Sequence, residues 1–186
     1  MDVSDAINGR RAVRHYTTDP VGRETVLQLI DAAVHAPSAV NQQPWTFTVV
    51  RDAALLDRIS AAAKQHMLAS VPESGLPARP REELADPHFQ IFHHAPLLIL
   101  ISALAPGPWI VEDCALAAEN LMLAAHAKGL GTCWIGFAQD YLGTAEGKRV
   151  LGLPQAWVPI APIIVGRPAT PPPPVPRRAP EVRWIG

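Results

Sequence analysis

Residues 36–45 of this 186-residue chain are Ala-Pro-Ser-Ala-Val-Asn-Gln-Gln-Pro-Trp. They follow a helical pattern and precede residues 46–50 (Thr-Phe-Thr-Val-Val), which predict a buried strand. Pro37 ends the helix, because proline restricts the residue before it and lacks a backbone donor. The serine, asparagine and glutamine side chains need hydrogen-bond partners once they are fixed. A loop that is this difficult to order more often binds a ligand than completes a core.

A second polar segment lies upstream at residues 10–14, where three arginines (Arg10, Arg11 and Arg14) fall within five positions. Guanidinium groups suit phosphate, because their hydrogen bonds to an anion are charge-assisted and bidentate. Residues i and i+4 of an extended chain lie on one side of the backbone, so Arg10 and Arg14 can reach two parts of one ligand. Taken alone, such a cluster is more often a solvated basic surface. Together with the loop at 36–45, it favours a binding site.

These two segments resemble the FMN-dependent nitroreductase family, whose opening pattern is Arg-Arg-Ser-x-Arg followed by Ala-Pro-Ser-x-x-Asn-x-Gln-Pro-Trp. The chain departs from the pattern at position 12, where alanine replaces serine and a side-chain hydrogen bond worth about 1 kcal/mol is lost. The resemblance implies contacts with the phosphate and ring edge of FMN from Arg10, Arg11, Ala12 and Arg14. It implies contacts from the partner subunit at Pro37, Ser38, Ala39, Asn41 and Gln43.

A third match joins an apolar helix to a strand. Residues 120–125 are Asn-Leu-Met-Leu-Ala-Ala, and residues 129–137 are Gly-Leu-Gly-Thr-Cys-Trp-Ile-Gly-Phe. Nitroreductases show a similar helix and turn, after which the backbone faces the flavin N5 edge. The resemblance therefore implies flavin contacts at Trp134, Ile135 and Gly136, and a glycine suits close approach to a flat ring. An ordinary helix end followed by a buried strand explains this segment equally well.

The C-terminal part is a fourth match, with Ile-Ile-Val-Gly-Arg-Pro at 163–168 and four consecutive prolines at 171–174. Proline runs favour an extended polyproline II conformation. The resemblance implies that residues 167–186 form an arm that is exchanged between subunits and brings Arg177 or Arg178 to the FMN phosphate. Two alternatives stay open for the proline run, namely a passive spacer and a ligand for an SH3-type domain.

Composition limits the classes of function. Apolar residues make up 48% and charged residues 18% of the chain, which is typical of one globular domain, here residues 1–186. A net charge of −1 gives no electrostatic reason to expect a nucleic acid or an anionic membrane as partner. No apolar run is long enough to predict a membrane span, and no secretory signal is visible. The two cysteines lie in apolar surroundings, so we expect a reducing cytoplasm.

Apolar periodicity and capping residues predict the secondary structure. We expect helices at 2–9, from 19 to 37, after Asp52, at 109–128 and at 141–151, and strands at 46–50, 95–101, 132–137, 157–165 and 182–185. Residues 71–94 match nothing in the family, and their proline-rich first part predicts a loop or lid. The expected fold is α+β and nitroreductase-like, a mixed, mainly antiparallel sheet of four to five strands flanked by helices. The resemblance implies a domain-swapped dimer with an exchanged C-terminal arm.

Other motifs give weak support to other functions. His88, His93 and His94 lie close together, but no Cys, Asp or Glu completes a metal-ligand set at usable spacing. The Gly-Leu-Gly at 129–131 lacks the third glycine of a dinucleotide fingerprint and precedes a strand instead of a helix. We therefore expect no resident metal and no Rossmann-type nucleotide site.

The sequence thus predicts an FMN-dependent oxidoreductase that takes hydride from NAD(P)H and reduces a nitroaromatic, a quinone or a related small organic acceptor. The nicotinamide donor and the homodimer are implied by the resemblance alone. No side chain needs to act as a nucleophile, because the cofactor carries the chemistry. Two alternatives remain: a flavoenzyme of the same fold with another reaction (dehydrogenase, dehalogenase or flavin fragmentation), and a flavin-binding sensor without turnover.

Overall fold

The structure, a computed structural model, describes residues 1–72, 75 and 77–186. In these residues, seven helices surround one four-stranded sheet. The helices are α1 (Val3–Gly9), α2 (Arg23–Val34), α3 (Ala53–Ser70), α4 (Ala78–Ala85), α5 (Ile110–Ala127), α6 (Gly136–Gly143) and α7 (Ala145–Val150). The strands are β1 (Trp45–Val50), β2 (Leu97–Ala103), β3 (Gly131–Trp134) and β4 (Val158–Gly166). No helix in the described ranges has the length and apolar character that a bilayer crossing requires.

The sheet has the strand order β1-β2-β4-β3, and every neighbouring pair is antiparallel. All residues of β2 are buried, as the apolar sequence of this strand predicts for a central strand that is covered on both faces. A bulge between Ile101 and Ser102 shifts the register of β2 against β4. The predicted α+β fold with a mainly antiparallel sheet is confirmed, and the described chain supplies four strands of it.

Two apolar layers cover the sheet because side chains alternate along a strand. Leu97, Ile99 and Ile101 of β2 point to a layer that contains α2 and α5. Leu98 and Leu100 point to the opposite layer, which contains α3, α4 and α6. The small residues of α5 let this helix lie close against the sheet, so α5 runs across one face of the molecule.

Helix ends follow the local signals of the sequence. Asp2 and Asp5 form a capping box at the start of α1, and Asp52 accepts a hydrogen bond from Leu55 N–H at the start of α3. Gly129 follows the end of α5 with φ = +72°, a conformation that glycine adopts without steric penalty. The predicted ends of α1 and α5 and the predicted cap of α3 are therefore confirmed.

The secondary structure between β3 and β4 differs from the prediction. β3 ends at Trp134 instead of residue 137, because Gly136 already begins α6. The single helix predicted at 141–151 is two helices, and Thr144 caps the second by accepting a hydrogen bond from Gly147 N–H at 3.0 Å. A threonine inside an apolar pattern is a weak signal from sequence, but a hydroxyl that caps a helix sets its start.

Three further expectations need correction. α2 begins at Arg23, with Gly22 as its N-cap, and not at residue 19. The predicted loop at 71–87 contains α4, which is held by the buried Leu84 against the layer with α3; residues 73, 74 and 76 of that prediction lie outside the described residues. The end of the chain, 182–185, is exposed and forms no strand.

Candidate functional site

The arginine segment (residues 10–14) is extended and lies along the edge strand β3. Ala12 forms a parallel bridge with Thr132, and Val13 N–H donates to the Thr132 carbonyl at 2.9 Å. Val13 is buried against Gly131, where a Cβ atom would lie only 2.6 Å from a Val13 methyl carbon. The backbone of this segment is therefore fixed by the sheet, as the extended conformation predicted from sequence requires.

The three arginine side chains have different environments. Arg10 Nε lies 3.4 Å from Glu119 Oε1 of α5. Arg11 Nη1 donates to the carbonyls of Asn8 and Arg10 at 2.7 Å, so this side chain caps the end of α1. Arg11 Nε is buried and has no hydrogen-bond partner among the described residues, whereas Arg14 is exposed. The segment thus presents positive charge on more than one side.

The proline loop (residues 37–43) contains a short 3-10 turn, Ala39–Asn41. Gln43 N–H donates to Ser38 Oγ at 2.9 Å, and Gln43 Nε2 donates to Asn41 Oδ1 at 2.9 Å. These bonds give the side chains of Ser38, Asn41 and Gln43 one partner each within the loop. Residues 40–43 are exposed, so the loop presents polar groups to the outside of its own chain.

One site residue was not identified from the sequence. Asp113 lies in the first turn of α5, is 4% exposed, and accepts a hydrogen bond from Ala39 N–H at 2.9 Å. The signal in the sequence was the pair of carboxylates, Glu112 and Asp113, in the first turn of a mostly apolar helix. Burial, together with the Asp113 carboxylate, raises the pKa of the neighbouring Cys114 thiol to about 12.

The third predicted segment, Trp134, Ile135 and Gly136, lies where β3 turns into α6. Ile135 is buried, and its N–H donates to the Pro162 carbonyl at 2.8 Å. Gly136 is exposed, and a Cβ atom added there would meet no atom of the described chain within 4 Å. The packing of this chain therefore does not require glycine at position 136.

The arginine segment and the proline loop lie at diagonally opposite corners of the sheet. Thr132 of β3, which pairs with Ala12, lies across β4 from Leu97, the first residue of β2. Trp45, which follows the proline loop, pairs with Ala103, the last residue of β2. That separation is about 20 Å along the strands, and β3 and β1 are about 14 Å apart across the sheet. Within one chain, the structure does not bring the two segments together.

Helix α5 nevertheless contacts both segments. Asp113 contacts the proline loop, and Glu119 pairs with Arg10. The two carboxylates are six positions apart, which corresponds to about 9 Å along the helix and about 120° around its axis. They therefore lie on different sides of α5.

The start of the C-terminal arm lies beside the arginine segment of its own chain. Ala169 N–H donates to the His15 carbonyl at 2.9 Å, and Pro172 and Val175 line a cleft of about 330 Å³ with Arg11 and Arg14. The remainder of the arm, with Arg177 and Arg178, is exposed, and it ends in Trp184 and Ile185, which are 90% and 86% exposed.

Titratable groups near Arg14 are held neutral. Burial, together with the positive charge of Arg14, lowers the pKa of His93 to about 4. Burial likewise raises the pKa of the Tyr16 hydroxyl, which donates to the Val13 carbonyl. His88, His93 and His94 belong to no group of three potential metal ligands within the described residues.

Comparison with known proteins agrees with the resemblance seen in the sequence. The nitroreductase family model matches residues 7–167. A candidate NADH dehydrogenase/NAD(P)H nitroreductase of Methanothermobacter thermautotrophicus is 34% identical over 175 residues, covering 91% of this chain and 78% of that protein. The 5,6-dimethylbenzimidazole synthase of Rhodospirillum rubrum is 32% identical over 178 residues, with coverages of 86% and 78%.

A solved structure gives the same result. A nitroreductase with bound FMN from Bacteroides fragilis has a TM-score of 0.82 at 25% sequence identity, covering 100% of this chain and 98% of the other. The match extends over the sheet, the helices and both ends of the chain. Because the family model matches most of the chain, residues 7–167, this chain belongs to the nitroreductase family.

Proposed function

We propose that this protein is an FMN-dependent oxidoreductase that takes hydride from NAD(P)H and passes it to a nitroaromatic, a quinone or a related small organic acceptor. The observation that carries the proposal is the arginine segment, which is extended on the edge of β3 with Arg14 exposed. Family membership and the FMN-bound nitroreductase of B. fragilis support it. The two cysteines are buried free thiols, which fits a reducing compartment such as the cytoplasm.

The residues of the arginine segment fit the charge of FMN. A phosphate dianion is bound best by guanidinium groups and backbone N–H donors. Arg10, Arg11 and Arg14 supply three guanidinium groups, and Arg11 Nε is a buried donor without a partner in the part of the chain that the structure describes. In our proposal Arg10 and Arg11 meet the phosphate, and Arg14 meets the ring edge that becomes negative on reduction. Arg177 or Arg178 of the arm adds a further cation at the phosphate.

Open space in front of Gly136 fits the flat ring. Because no atom of the described chain lies within 4 Å of a Cβ at this position, the backbone there is accessible to a planar ligand. We propose that Trp134, Ile135 and Gly136 face the ring with their backbone. Ile135 is anchored to Pro162 of β4, so the position of this backbone is fixed before a ligand arrives.

The chemistry requires little of the side chains. When bound, FMN supplies hydride transfer between donor and acceptor. The role of Arg14 is to stabilise negative charge on the reduced ring edge, which favours acceptance of a hydride. His93 is neutral above its lowered pKa of about 4, so it adds no positive charge beside Arg14 at physiological pH.

We further propose that the active form is a homodimer. The arginine segment and the proline loop start at opposite corners of the sheet in one chain, so a single flavin can contact both only if a second copy supplies one of them. Apolar side chains of α5, Val111 and Leu116, are 53% and 46% exposed. Burial of such side chains against a second copy is favourable. The exposed arm extends the same interface onto the partner.

The visible absorption spectrum of the purified protein tests the presence of flavin, and steady-state oxidation of NADH and NADPH tests turnover. We expect a flavin spectrum and sustained oxidation of one donor with a quinone or a nitroarene as acceptor. The Arg14→Ala variant serves as a control and should lower flavin content. Absence of flavin from protein that was purified or reconstituted with FMN contradicts the proposal. Bound flavin without turnover supports the sensor alternative instead.

A second function is favoured by one relative. The 5,6-dimethylbenzimidazole synthase of R. rubrum is 32% identical to this chain, and the nitroreductase relative of M. thermautotrophicus is 34% identical. A flavin-fragmenting reaction is therefore the alternative within the same fold. Product analysis separates the two: formation of 5,6-dimethylbenzimidazole from reduced FMN in air supports the synthase, and acceptor-dependent NAD(P)H oxidation without this product supports the reductase.

A further inference from the structure

The proline loop has a backbone that is costly to hold. Val40, Asn41 and Gln43 have φ values of +45°, +56° and +48°. This left-handed region is uncommon for residues other than glycine and is most unfavourable for a β-branched residue such as valine. Val40 is 80% exposed, so burial of its side chain does not compensate for the strain. Another interaction must keep the loop in this conformation.

Hydrogen bonds inside the loop fix its shape but not its place. Asn41 N–H donates to the Ser38 carbonyl at 3.0 Å, and Gln43 N–H donates to Ser38 Oγ at 2.9 Å. These bonds join residues that are already neighbours in sequence. A loop held only by such bonds can move as a unit about its two ends, Pro37 and Pro44.

Asp113 supplies the connection to the body of the protein. Its Oδ1 accepts the Ala39 N–H at 2.9 Å across 74 positions of sequence. Among the hydrogen bonds of the described residues, it is the one that ties residues 38–43 to another element. The carboxylate lies in the first turn of α5, where the helix dipole favours a negative charge.

We propose that Asp113 is a positioning residue for FMN: it holds the proline loop against α5 in the conformation that receives the flavin. This inference rests on the proposed function. A loop that only joins α2 to β1 does not need left-handed residues. Strained backbone of this kind persists where surrounding contacts hold it, and it is common at functional sites. The carboxylate contacts no flavin itself in this account and acts only through Ala39.

The chain offers a matched control. Asp52 also accepts one backbone N–H, that of Leu55, at 2.9 Å, but this bond caps its own helix and lies away from the proline loop. Asp113→Ala and Asp52→Ala therefore remove the same group and a bond of equal length. Asp113→Asn keeps an acceptor oxygen at the same place and tests rescue. FMN dissociation constants from quenching of flavin fluorescence and melting temperatures of the FMN-free protein are measured for all three.

We expect Asp113→Ala to raise the FMN dissociation constant about tenfold, Asp113→Asn to restore most of the affinity, and Asp52→Ala to change it less than about twofold. Equal FMN affinity in Asp113→Ala and wild type overturns the inference and leaves the proposed function intact. If wild type itself binds no FMN, the proposed function fails instead. An equal loss of affinity in Asp113→Ala and Asp52→Ala also overturns the inference, because the effect is then one of general stability.

Hydrogen exchange of wild-type protein gives a second test that does not depend on a variant folding. The Ala39 amide donates to a buried carboxylate, whereas Val40 is exposed and its amide has no hydrogen-bond partner among the described residues. We expect the Ala39 amide to exchange at least about tenfold more slowly than the Val40 amide. Equal exchange rates at the two positions contradict the proposal.

Discussion

The arginine segment and the proline loop both contact α5, but different interactions hold them. The backbone of the arginine segment is bridged to β3, and its Val13 is buried. The proline loop is exposed, has left-handed residues and is tied to the body by Asp113. A backbone hydrogen bond to β3 and the burial of Val13 together hold the first segment, whereas one side-chain hydrogen bond holds the second. The first segment is therefore part of the fold, and the second depends on one residue.

Removal of the C-terminal arm should lower flavin binding more than any single substitution, because the arm lies beside the arginine segment. We expect deletion of residues 171–186 to lower flavin content and dimer stability together. The deletion removes Arg177 and Arg178 and a stiff polyproline segment that loses little entropy on docking. Light scattering and the ratio of flavin to protein absorbance measure the two effects. A truncated protein that stays dimeric with full flavin content shows that the arm is a passive spacer.

Substitution of Arg14 tests the arginine segment itself. We expect Arg14→Ala to raise the FMN dissociation constant by about tenfold or more, since a charge-assisted contact to an anion is lost. Arg183→Ala is the control, because Arg183 is an exposed arginine near the end of the arm and exposed charges contribute only about 0–1 kcal/mol. Titration with FMN compares the two variants. Equal dissociation constants remove Arg14 from the site.

Two glycines separate support of the fold from contact with the ligand. Gly131→Ala places a Cβ atom 2.6 Å from Val13, so we expect unfolding free energy to fall by about 1–3 kcal/mol. Gly136→Ala meets no atom of the described chain, and we expect an unchanged melting temperature but weaker FMN binding by a few-fold. Thermal unfolding without FMN and titration with FMN measure these effects. A Gly136→Ala protein with normal FMN affinity shows that the flavin does not approach this backbone.

The sequence predicted those parts of the molecule that depend on local patterns. The apolar run of β2, the long helix α5 and the cap at Asp52 were recognisable because burial on both faces and helix capping leave periodic and positional signals. α4 was missed, because Leu84 becomes a core residue only through tertiary packing on the layer with α3. The Asp113–Ala39 bond was missed for the same reason, since it joins residues 74 positions apart.

In the candidate site too, the sequence predicted the conformation of one segment and not that of the other. The arginine segment was expected to be extended, and the bridge between Ala12 and Thr132 shows that it is. The conformation of the proline loop was not predictable, because nothing in the sequence marks Val40 as left-handed. Contacts of these residues with FMN remain predictions, and so does the contribution of a second copy.

Complementation between two defective subunits tests most directly the claim that each flavin lies between the arginine segment of one copy and the proline loop of another. One subunit carries Arg14→Ala, and the other has residues 38–43 replaced by a Gly-Ser linker of equal length. The two are co-expressed with different tags, and the mixed dimer is isolated. In the mixed dimer, one site receives both defects and the other receives neither. We predict about half of the wild-type flavin content, bound with wild-type affinity, in the mixed dimer, whereas both parent variants bind FMN weakly. Weak binding at every site of the mixed dimer contradicts the account, because each flavin would then lie within a single subunit.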